Sequence, residues 1–160
     1  MSINQYRYPA SVLITTLVGV MFLLASSAYA QDARRADKGS GSIRVIVDGF
    51  KNDRGFAKIG LCNSRESFKN SEELAILFKT TRIVSGKSEH VFPGVPFGIY
   101  AVSVYHDENG NGRLDKGLFG KPLELYGFSN NARGVMSRPE YEKAAFVFDK
   151  ADITVNVTVR

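Results

Sequence analysis

The sequence predicts an all-β protein: a seven-stranded antiparallel β-sandwich with one short helical excursion and one long irregular loop. Short runs in which apolar and polar residues alternate recur between turn signals, a pattern typical of sandwiches and barrels. The chain lacks the helix–strand alternation of parallel α/β folds, and it contains no internal repeat. The predicted strands cover residues 43–48, 55–62, 80–84, 88–92, 98–106, 143–148 and 152–159.

The first thirty residues have the features of a secretory signal peptide. Arg7 precedes an uncharged apolar run over residues 12–25, and the segment ends in Ala28-Tyr29-Ala30. This run is short for a membrane-spanning helix, which needs about 20 apolar residues, and its small-x-small ending suits signal peptidase. We therefore expect a signal peptide over residues 1–30, cleavage after Ala30, and a periplasmic or extracellular protein without a transmembrane span. The alternative is an uncleaved membrane anchor.

Cleavage leaves residues 31–160, a length that suits one domain with one core. Residues 31–41 are polar and contain glycine and serine, so we expect a flexible lead-in before a sandwich domain over residues 42–160. Cys62 is the only cysteine, so no intramolecular disulfide forms. Its place at the end of an apolar run predicts a buried, structural thiol. We expect the protein to be a monomer.

The charge pattern argues against a nucleic-acid-binding protein. The formal net charge is +5, and the cations are spread among acids without a run of five or more like charges. Nucleic-acid binding needs a concentrated basic stripe with stacking aromatic residues. The excess positive charge permits only weak attraction to anionic surfaces.

The domain begins with two predicted strands that are joined by a turn. Apolar and polar residues alternate over residues 43–48, Asp53-Arg54-Gly55 favours a turn, and an apolar run then continues to Cys62. This order predicts a β-hairpin. Farther along, Ser71 followed by two acids predicts one or two helical turns over residues 71–78.

The later strands enclose one long irregular segment. Residues 98–106 are rich in β-branched and aromatic side chains, which favours a strand buried on at least one face. Periodicity then stops from Asp107 to Pro139, where glycine and asparagine are frequent. Aromatic and leucine side chains within that segment indicate a folded loop. Alternation returns over residues 143–148 and 152–159, which predicts a closing hairpin.

The start of the long loop has the spacing of a calcium-binding loop. Oxygen-bearing side chains occupy relative positions 1, 3, 5 and 9, glycine occupies position 6, and a backbone carbonyl is available at position 7. The candidate ligands of a structural calcium ion are Asp107, Asn109, Asn111, the carbonyl of Arg113, and Asp115. Position 12 is Leu118, so Glu124 or another carbonyl must complete the site. The alternative is a metal-free turn, because Asp, Asn and Gly also favour tight loops.

Signals for catalysis are weaker. His106 adjoins the loop and His90 lies on another predicted strand, and neither has the spacing of a zinc ligand. No G-x-S-x-G nucleophile elbow surrounds the loop serines. We therefore expect no catalytic residue. The competing hypothesis is a hydrolase or isomerase in which His106 works with Asp107 or Glu108 as acid and base.

The second half of the long loop contains the candidate ligand surface. Its aromatic, amide and basic side chains suit a sugar or an acidic group, and the alternative is a solvated loop rim in which the aromatics only pack. The candidate residues are Tyr126, Phe128, Asn130, Asn131 and Arg133, with Lys121, Arg138 and Tyr141 nearby. The expected occupant is an unidentified protein partner or envelope ligand.

Several segments together resemble a known bacterial family. They are residues 91–115, Phe119-Gly-Lys-Pro122, Tyr126-Gly-Phe-Ser-Asn-Asn-Ala-Arg-Gly134 and Phe146-Val-Phe148. With them, the chain resembles the secreted family called domain of unknown function 2141 from about residue 42 to residue 159. This resemblance implies a fold and a location outside the cytoplasm, and it implies no activity.

A more distant likeness concerns the element Pro96-Phe-Gly98-Ile-Tyr100 and the strand that contains it. It is similar to transthyretin-like and carboxypeptidase-regulatory-like sandwiches, which are commonly accessory or binding modules. The likeness implies a sandwich of the immunoglobulin or transthyretin-like type. We therefore expect a non-catalytic binding module. A third possibility is a structural envelope protein that pairs a sheet edge with a partner strand, for which an unblunted edge strand would be the sign.

Overall fold

A computed structural model of the chain describes residues 39–135 and 137–160. The predicted signal peptide, its cleavage site and most of the predicted lead-in lie outside these residues. The described part forms a mostly β domain with two sheets, which fits an all-β sandwich. Within it, no helix has the length and apolar character that crossing a membrane requires.

Eight strands, three short α-helices and two 3₁₀ turns make up the described part of the chain. The strands are β1 (Ser40–Asp48), β2 (Phe56–Cys62), β3 (Leu77–Thr81), β4 (Ser88–Pro96), β5 (Gly98–Asp107), β6 (Tyr126–Phe128), β7 (Phe146–Phe148) and β8 (Asp152–Thr158). The helices are α1 (Arg65–Lys69), α2 (Ser71–Leu74) and α3 (Tyr141–Ala144), and the 3₁₀ turns cover Leu118–Gly120 and Ser129–Asn131.

The strands are divided between a three-stranded and a five-stranded sheet. In the first sheet, the order is β4-β1-β8, and β1 pairs antiparallel with β4 but parallel with β8. In the second sheet, β3, β2 and β5 are antiparallel neighbours. The other edge of β5 is shared: β7 pairs with residues 98–100 and β6 pairs with residues 103–105.

The structure corrects the predicted strand count and the all-antiparallel arrangement. β6 is an eighth strand within the segment predicted to be irregular, and β8 runs parallel to β1. Three residues are too few to show alternation, so β6 has no detectable period in the sequence. The direction of a strand depends on its partner, and periodicity shows only which face of a strand is buried.

Neither predicted hairpin forms. β1 and β2 lie in different sheets, and so do β7 and β8. In both cases the connecting turn carries the chain from one sheet to the other, so Asp53-Arg54-Gly55 links strands of opposite layers. A turn signal between two alternating runs does not distinguish such a crossing from a hairpin.

The predicted helix over residues 71–78 is shorter than expected. Helix α2 ends at Leu74, and Leu77 and Phe78 already belong to β3, where they pair with Leu61 and Gly60. Pairing with β2 supplies backbone hydrogen bonds that a longer helix would have made internally. The predicted strand over residues 143–148 likewise begins as helix α3 and becomes strand β7 only at Phe146.

The main core lies between the two sheets. Ile43, Val45 and Val47 of β1 are fully buried, as are Ile59 and Leu61 of β2. Full burial of one such side chain contributes about 1.5–3 kcal/mol to the stability of the fold. The alternating valines of β5 complete this layer, so the inward face of the second sheet is entirely apolar at its centre.

A second, smaller apolar cluster covers part of the outer face of the second sheet. It contains Cys62, Phe68, Ala101, Phe128, Ala132 and Ala144. Helices α1 and α3 supply Phe68 and Ala144, so these short helices cover one end of the outer face of the sheet. The other end of the outer face stays open and forms the cleft described next.

Candidate functional site

A cleft lies on the outer face of the second sheet. Its volume is about 910 Å³, which falls within the range of roughly 300–1,000 Å³ that is typical of small-molecule sites. Its walls are the helical connection after β2, the loop between β5 and β6, and residues 134, 135, 137 and 138. The lining side chains that matter chemically are Lys69, Ser71, Ser103, Tyr105, Lys116, Lys121, Tyr126 and Arg138.

Strand alternation brings polar and aromatic side chains to this face. Val102 and Val104 of β5 point into the core, so the alternate residues Ser103 and Tyr105 point outward. Pairing with β6 places Phe128 opposite Ser103 and Tyr126 opposite Tyr105. The floor of the cleft is therefore a strip of hydroxyl groups and aromatic rings.

Arg138 places a cation at this floor. Its Nη1 donates to the carbonyl of Phe68, to Ser71 Oγ at 3.1 Å and to Ser103 Oγ at 3.4 Å. The guanidinium carbon lies 5.3 Å from the ring centroid of Phe68 and 5.1 Å from that of Phe128, which are cation–π distances. Contacts with four elements, α1, α2, β5 and β6, thus fix the position of the guanidinium.

No carboxylate neutralises Arg138 directly within the described residues. None of the ion pairs found there includes it, and its Nε and Nη2 make no hydrogen bond to the described part of the chain. Burial lowers the pKa of the guanidinium from its usual value, while Cys62 and Glu72 act in the opposite direction. Arginine stays protonated in proteins. The cleft therefore contains a partly desolvated cation whose Nε and Nη2 groups remain able to donate hydrogen bonds to a ligand.

The rim adds further positive charge. Lys69, Lys116 and Lys121 line the cleft together with Arg138, and Glu72 and Glu73 are the lining acids. Cations therefore outnumber acids there, and a concave site of one predominant sign concentrates ligands of the opposite sign. The arrangement favours an anionic ligand.

The five predicted calcium ligands lie at the end of β5 and in the tight turn that follows it. The amide nitrogens of Asn109 and Asn111 donate to the Asp115 carboxylate, at 2.6 Å and 2.9 Å. Their side-chain oxygens accept backbone N–H groups of Asn111 and Arg113, at 3.0 Å each. The asparagine oxygens thus cap the backbone of the turn in this conformation.

Asp107, the first of these candidate ligands, is fully buried. Its Oδ2 accepts the N–H of Gly112 at 3.0 Å and lies 3.3 Å from Lys58 Nζ, whereas its Oδ1 is buried without a hydrogen-bond partner. Glu124 accepts the N–H groups of Glu108 and Asp115, at 2.9 Å each. Across residues 39–135 and 137–160, no three His, Cys, Asp or Glu side chains are grouped closely enough to hold a metal ion.

The structure divides the predicted ligand surface into two parts. Tyr126 and Phe128 line the cleft, and Phe128 also packs in the second apolar cluster. Asn130, Asn131 and Arg133 do not line it. The guanidinium of Arg133 lies 5.9 Å from the ring centroid of Tyr126, so it packs beside the cleft wall.

Ser129 follows β6 and links β5 to the end of helix α3. It is fully buried, and its Oγ accepts the N–H of Val102 at 2.8 Å and donates to the carbonyl of Ala144 at 2.6 Å. Val102 lies between the residues that pair with β7 and those that pair with β6. Val102 therefore has no partner in β6 or β7, and its N–H donates to the serine hydroxyl instead of to a strand carbonyl.

The two asparagines after Ser129 are also bound to backbone. Asn130 donates to the carbonyl of Ala145 at 2.9 Å, and Asn131 accepts the N–H of Thr158 at 2.9 Å. Both adopt positive φ angles, of 57° and 48°, which asparagine tolerates better than most residues. Their side chains hold the C-terminal end of α3 and strand β8 around the loop.

His106 and Cys62 lie away from any reactive arrangement. His106 is 1% exposed, its Nε2 is 2.7 Å from the carbonyl of Arg54, and it does not line the cleft. Cys62 is buried, as the sequence predicted, and its thiol donates to the carbonyl of Ser67 at 3.3 Å. Burial raises the pKa of this thiol to about 11, so the nucleophilic thiolate is scarce at neutral pH.

Sequence reasoning missed Ser71 and Ser103 as site residues. Ser103 lies in the predicted strand over residues 98–106, between two valines. A serine at that position of a largely apolar strand was a sequence signal that could have identified it as a site residue. The contribution of Ser71 had no local signal. Arg138 brings the two serines together, and the two lie 32 residues apart.

One comparison identifies a family. The sequence model of a family described as an uncharacterised protein conserved in bacteria, DUF2141, matches residues 45–156. No curated protein and no solved structure matches the chain significantly.

Proposed function

The chain belongs to this DUF2141 family, and we propose that it is a secreted, non-catalytic sandwich module that binds an anionic small molecule in the cleft around Arg138. The family description names no activity, so the proposal depends on the site itself.

The observation that carries the proposal is the guanidinium of Arg138. It is held by three hydrogen-bond acceptors and two aromatic rings, yet it faces no carboxylate at ion-pair distance within the described chain. A cation that is taken partly out of water without a partner is costly. An anionic ligand removes that cost, and the available Nε and Nη2 donors suit two oxygens of a carboxylate or phosphate.

We further propose that the turn over residues 107–115 binds one calcium ion. The buried Oδ1 of Asp107, which has no hydrogen-bond partner in the described chain, supports a cation-binding role at that point. For calcium to bind, the side-chain amides of Asn109 and Asn111 must rotate so that their oxygens face the ion. The Lys58 ammonium, which lies 3.3 Å from the Asp107 carboxylate, must also move away. With two charged ligands we expect weak binding, near the extracellular range of about 10⁻⁴–10⁻³ M.

The competing functions have less support. A hydrolase or isomerase that uses His106 would need the imidazole to face a cavity, and this imidazole is buried against Phe50 and a backbone carbonyl. A partner that adds a strand at the edge of β3 would meet Lys79 at the centre of that strand. A lysine on an edge strand disfavours such pairing.

A titration of the purified protein with inorganic phosphate and with acetate tests the proposal. We expect saturable binding in the millimolar range that weakens as salt is added. The substitution Arg138→Gln removes the charge and lowers affinity at least tenfold. Arg133→Gln is the matched control, because this second arginine lies outside the cleft lining, and it leaves the affinity unchanged.

Arg138→Gln also removes hydrogen bonds that Arg138 makes to the protein, so a loss of stability must be separated from a loss of binding. A second variant that changes only exposed side chains makes this separation. Lys116→Gln combined with Lys121→Gln changes two exposed rim cations, and we expect a two- to fivefold loss of phosphate affinity with an unchanged melting temperature. Binding that neither variant affects would place the anion elsewhere and overturn the proposal.

A further inference from the structure

The cleft has an apolar lip as well as a charged floor. Leu118, Phe119 and Val135 line its opening, and they are 80%, 97% and 97% exposed. Isolated exposed apolar residues are common on proteins. Three large ones at the opening of one cleft form a patch, and patches of this kind mark binding surfaces.

An ordered hairpin-like turn displays two of these side chains. Backbone hydrogen bonds join Gly117 to Lys121 at 2.8 Å and Leu123 to Asp115 at 2.9 Å, with Leu118 and Phe119 at the tip. Phe119 has a φ of 62°, a left-handed conformation that is unfavourable for a bulky residue. The turn therefore holds the phenyl ring outward at a conformational cost instead of letting it collapse onto the domain.

Positive charge accompanies this apolar tip. Lys116 and Lys121 flank it on the two legs of the turn, and Arg138 lies deeper, at the floor of the same cleft. A ligand that satisfies both features has one anionic head for the guanidinium and an apolar chain for the lip.

We propose that the ligand of the cleft is a single-chain anionic amphiphile, whose carboxylate or phosphate head binds Arg138 and whose alkyl chain lies along Leu118, Phe119 and Val135. This inference depends on the proposed anion site and names the ligand class for it. The complementary charge of the floor and the apolar side chains of the lip select this occupant over a sugar or a small inorganic anion.

Titration calorimetry with acetate, hexanoate, octanoate and decanoate, each below its micelle concentration, tests the inference. Each buried methylene contributes about 0.8 kcal/mol, so affinity rises three- to fourfold for each added methylene. In the double variant Leu118→Ser, Phe119→Ser this dependence on chain length falls by at least half. Val84→Ser, a similarly exposed apolar residue outside the cleft lining, retains the full dependence.

The outcomes separate the two proposals. If acetate and phosphate bind but affinity does not rise with chain length, the anion site stands and the amphiphile inference is wrong. If no anion of any length binds, the proposed function itself fails. Binding to anionic phospholipid vesicles without binding to dissolved decanoate would also overturn the inference, because the lip would then insert into membranes instead of receiving a free chain.

Discussion

Replacing Ser129 with alanine removes the hydroxyl that joins β5 to the end of helix α3. The change leaves the N–H of Val102 and the carbonyl of Ala144 buried without partners, because the hydroxyl binds both at 2.8 Å and 2.6 Å. Each unsatisfied buried group costs about 1–3 kcal/mol. The loss of the serine's own desolvation cost offsets part of this, so we expect the free energy of unfolding to fall by about 2–4 kcal/mol.

Urea unfolding with linear extrapolation measures this loss. A small domain has a stability of roughly 5–15 kcal/mol, so Ser129→Ala removes a large share of it. The melting temperature falls accordingly, by about 3–5 °C for each kcal/mol. Ser137→Ala is the matched control, since Ser137 is exposed and, within the described residues, its hydroxyl makes one hydrogen bond, to the carbonyl of Arg138 at 3.3 Å. Exposed positions of that kind change stability by about 0.5 kcal/mol or less.

A loss below about 0.5 kcal/mol for Ser129→Ala would refute the reasoning. It would mean that the two backbone groups find other partners and that the hydroxyl does not replace a ladder hydrogen bond. An equal loss in the Ser137→Ala control would show instead that the whole segment tolerates change poorly. Only a loss confined to Ser129 supports the assigned role.

Three further predictions concern the thiol, the calcium turn and the N-terminus. Burial raises the pKa of Cys62 from 9.0 to about 11, so the stability contributed by its neutral form is complete below pH 9 and lost as the pH rises to 11. Between pH 8 and pH 10.5 the wild type should lose about 2 kcal/mol more stability than Cys62→Ala in urea unfolding, and equal losses would contradict a buried thiol. Millimolar calcium should raise the melting temperature of the wild type and leave Asp115→Ala unchanged; no shift in the wild type would leave the turn metal-free. Mass spectrometry of the exported protein should find Gln31 as its first residue, and an intact N-terminus would favour the membrane anchor.

Strand positions could be predicted because alternation is a local property of the sequence. Residues 43–48 and 98–106 each lie within an observed strand, and Cys62 is buried as expected from its apolar run. The pairing of the strands could not be predicted, because it depends on which of the two sheets the chain enters after each turn. That is why β8 lies parallel to β1 although both strands were correctly located.

The site was only partly predictable for the same reason. Tyr126 and Phe128 were predicted as ligand-surface residues, and they do line the cleft. Asn130 and Asn131 were grouped with them, yet their amides bind backbone groups far along the chain. An exposed asparagine in a loop has the same sequence signature in either role, and only the fold shows what its amide contacts.

Within the segment Tyr126-Gly-Phe-Ser-Asn-Asn131, the glycine, the serine and both asparagines make structural contacts. A Cβ on Gly127 would lie 2.7 Å from the carbonyl oxygen of Thr158, so β6 approaches β8 more closely than any other residue permits. Ser129 then links β5 to helix α3 beside that contact. These contacts hold the rings of Tyr126 and Phe128 at the floor of the cleft.

The most direct test of the central claim is to observe the guanidinium of Arg138 itself. In ¹H–¹⁵N spectra of the labelled protein, its Nε–H signal is assigned by its disappearance in Arg138→Lys. Addition of phosphate or decanoate should shift this signal saturably, with the same dissociation constant that calorimetry gives. A signal that stays fixed while the protein binds either anion would show that the ligand site lies elsewhere.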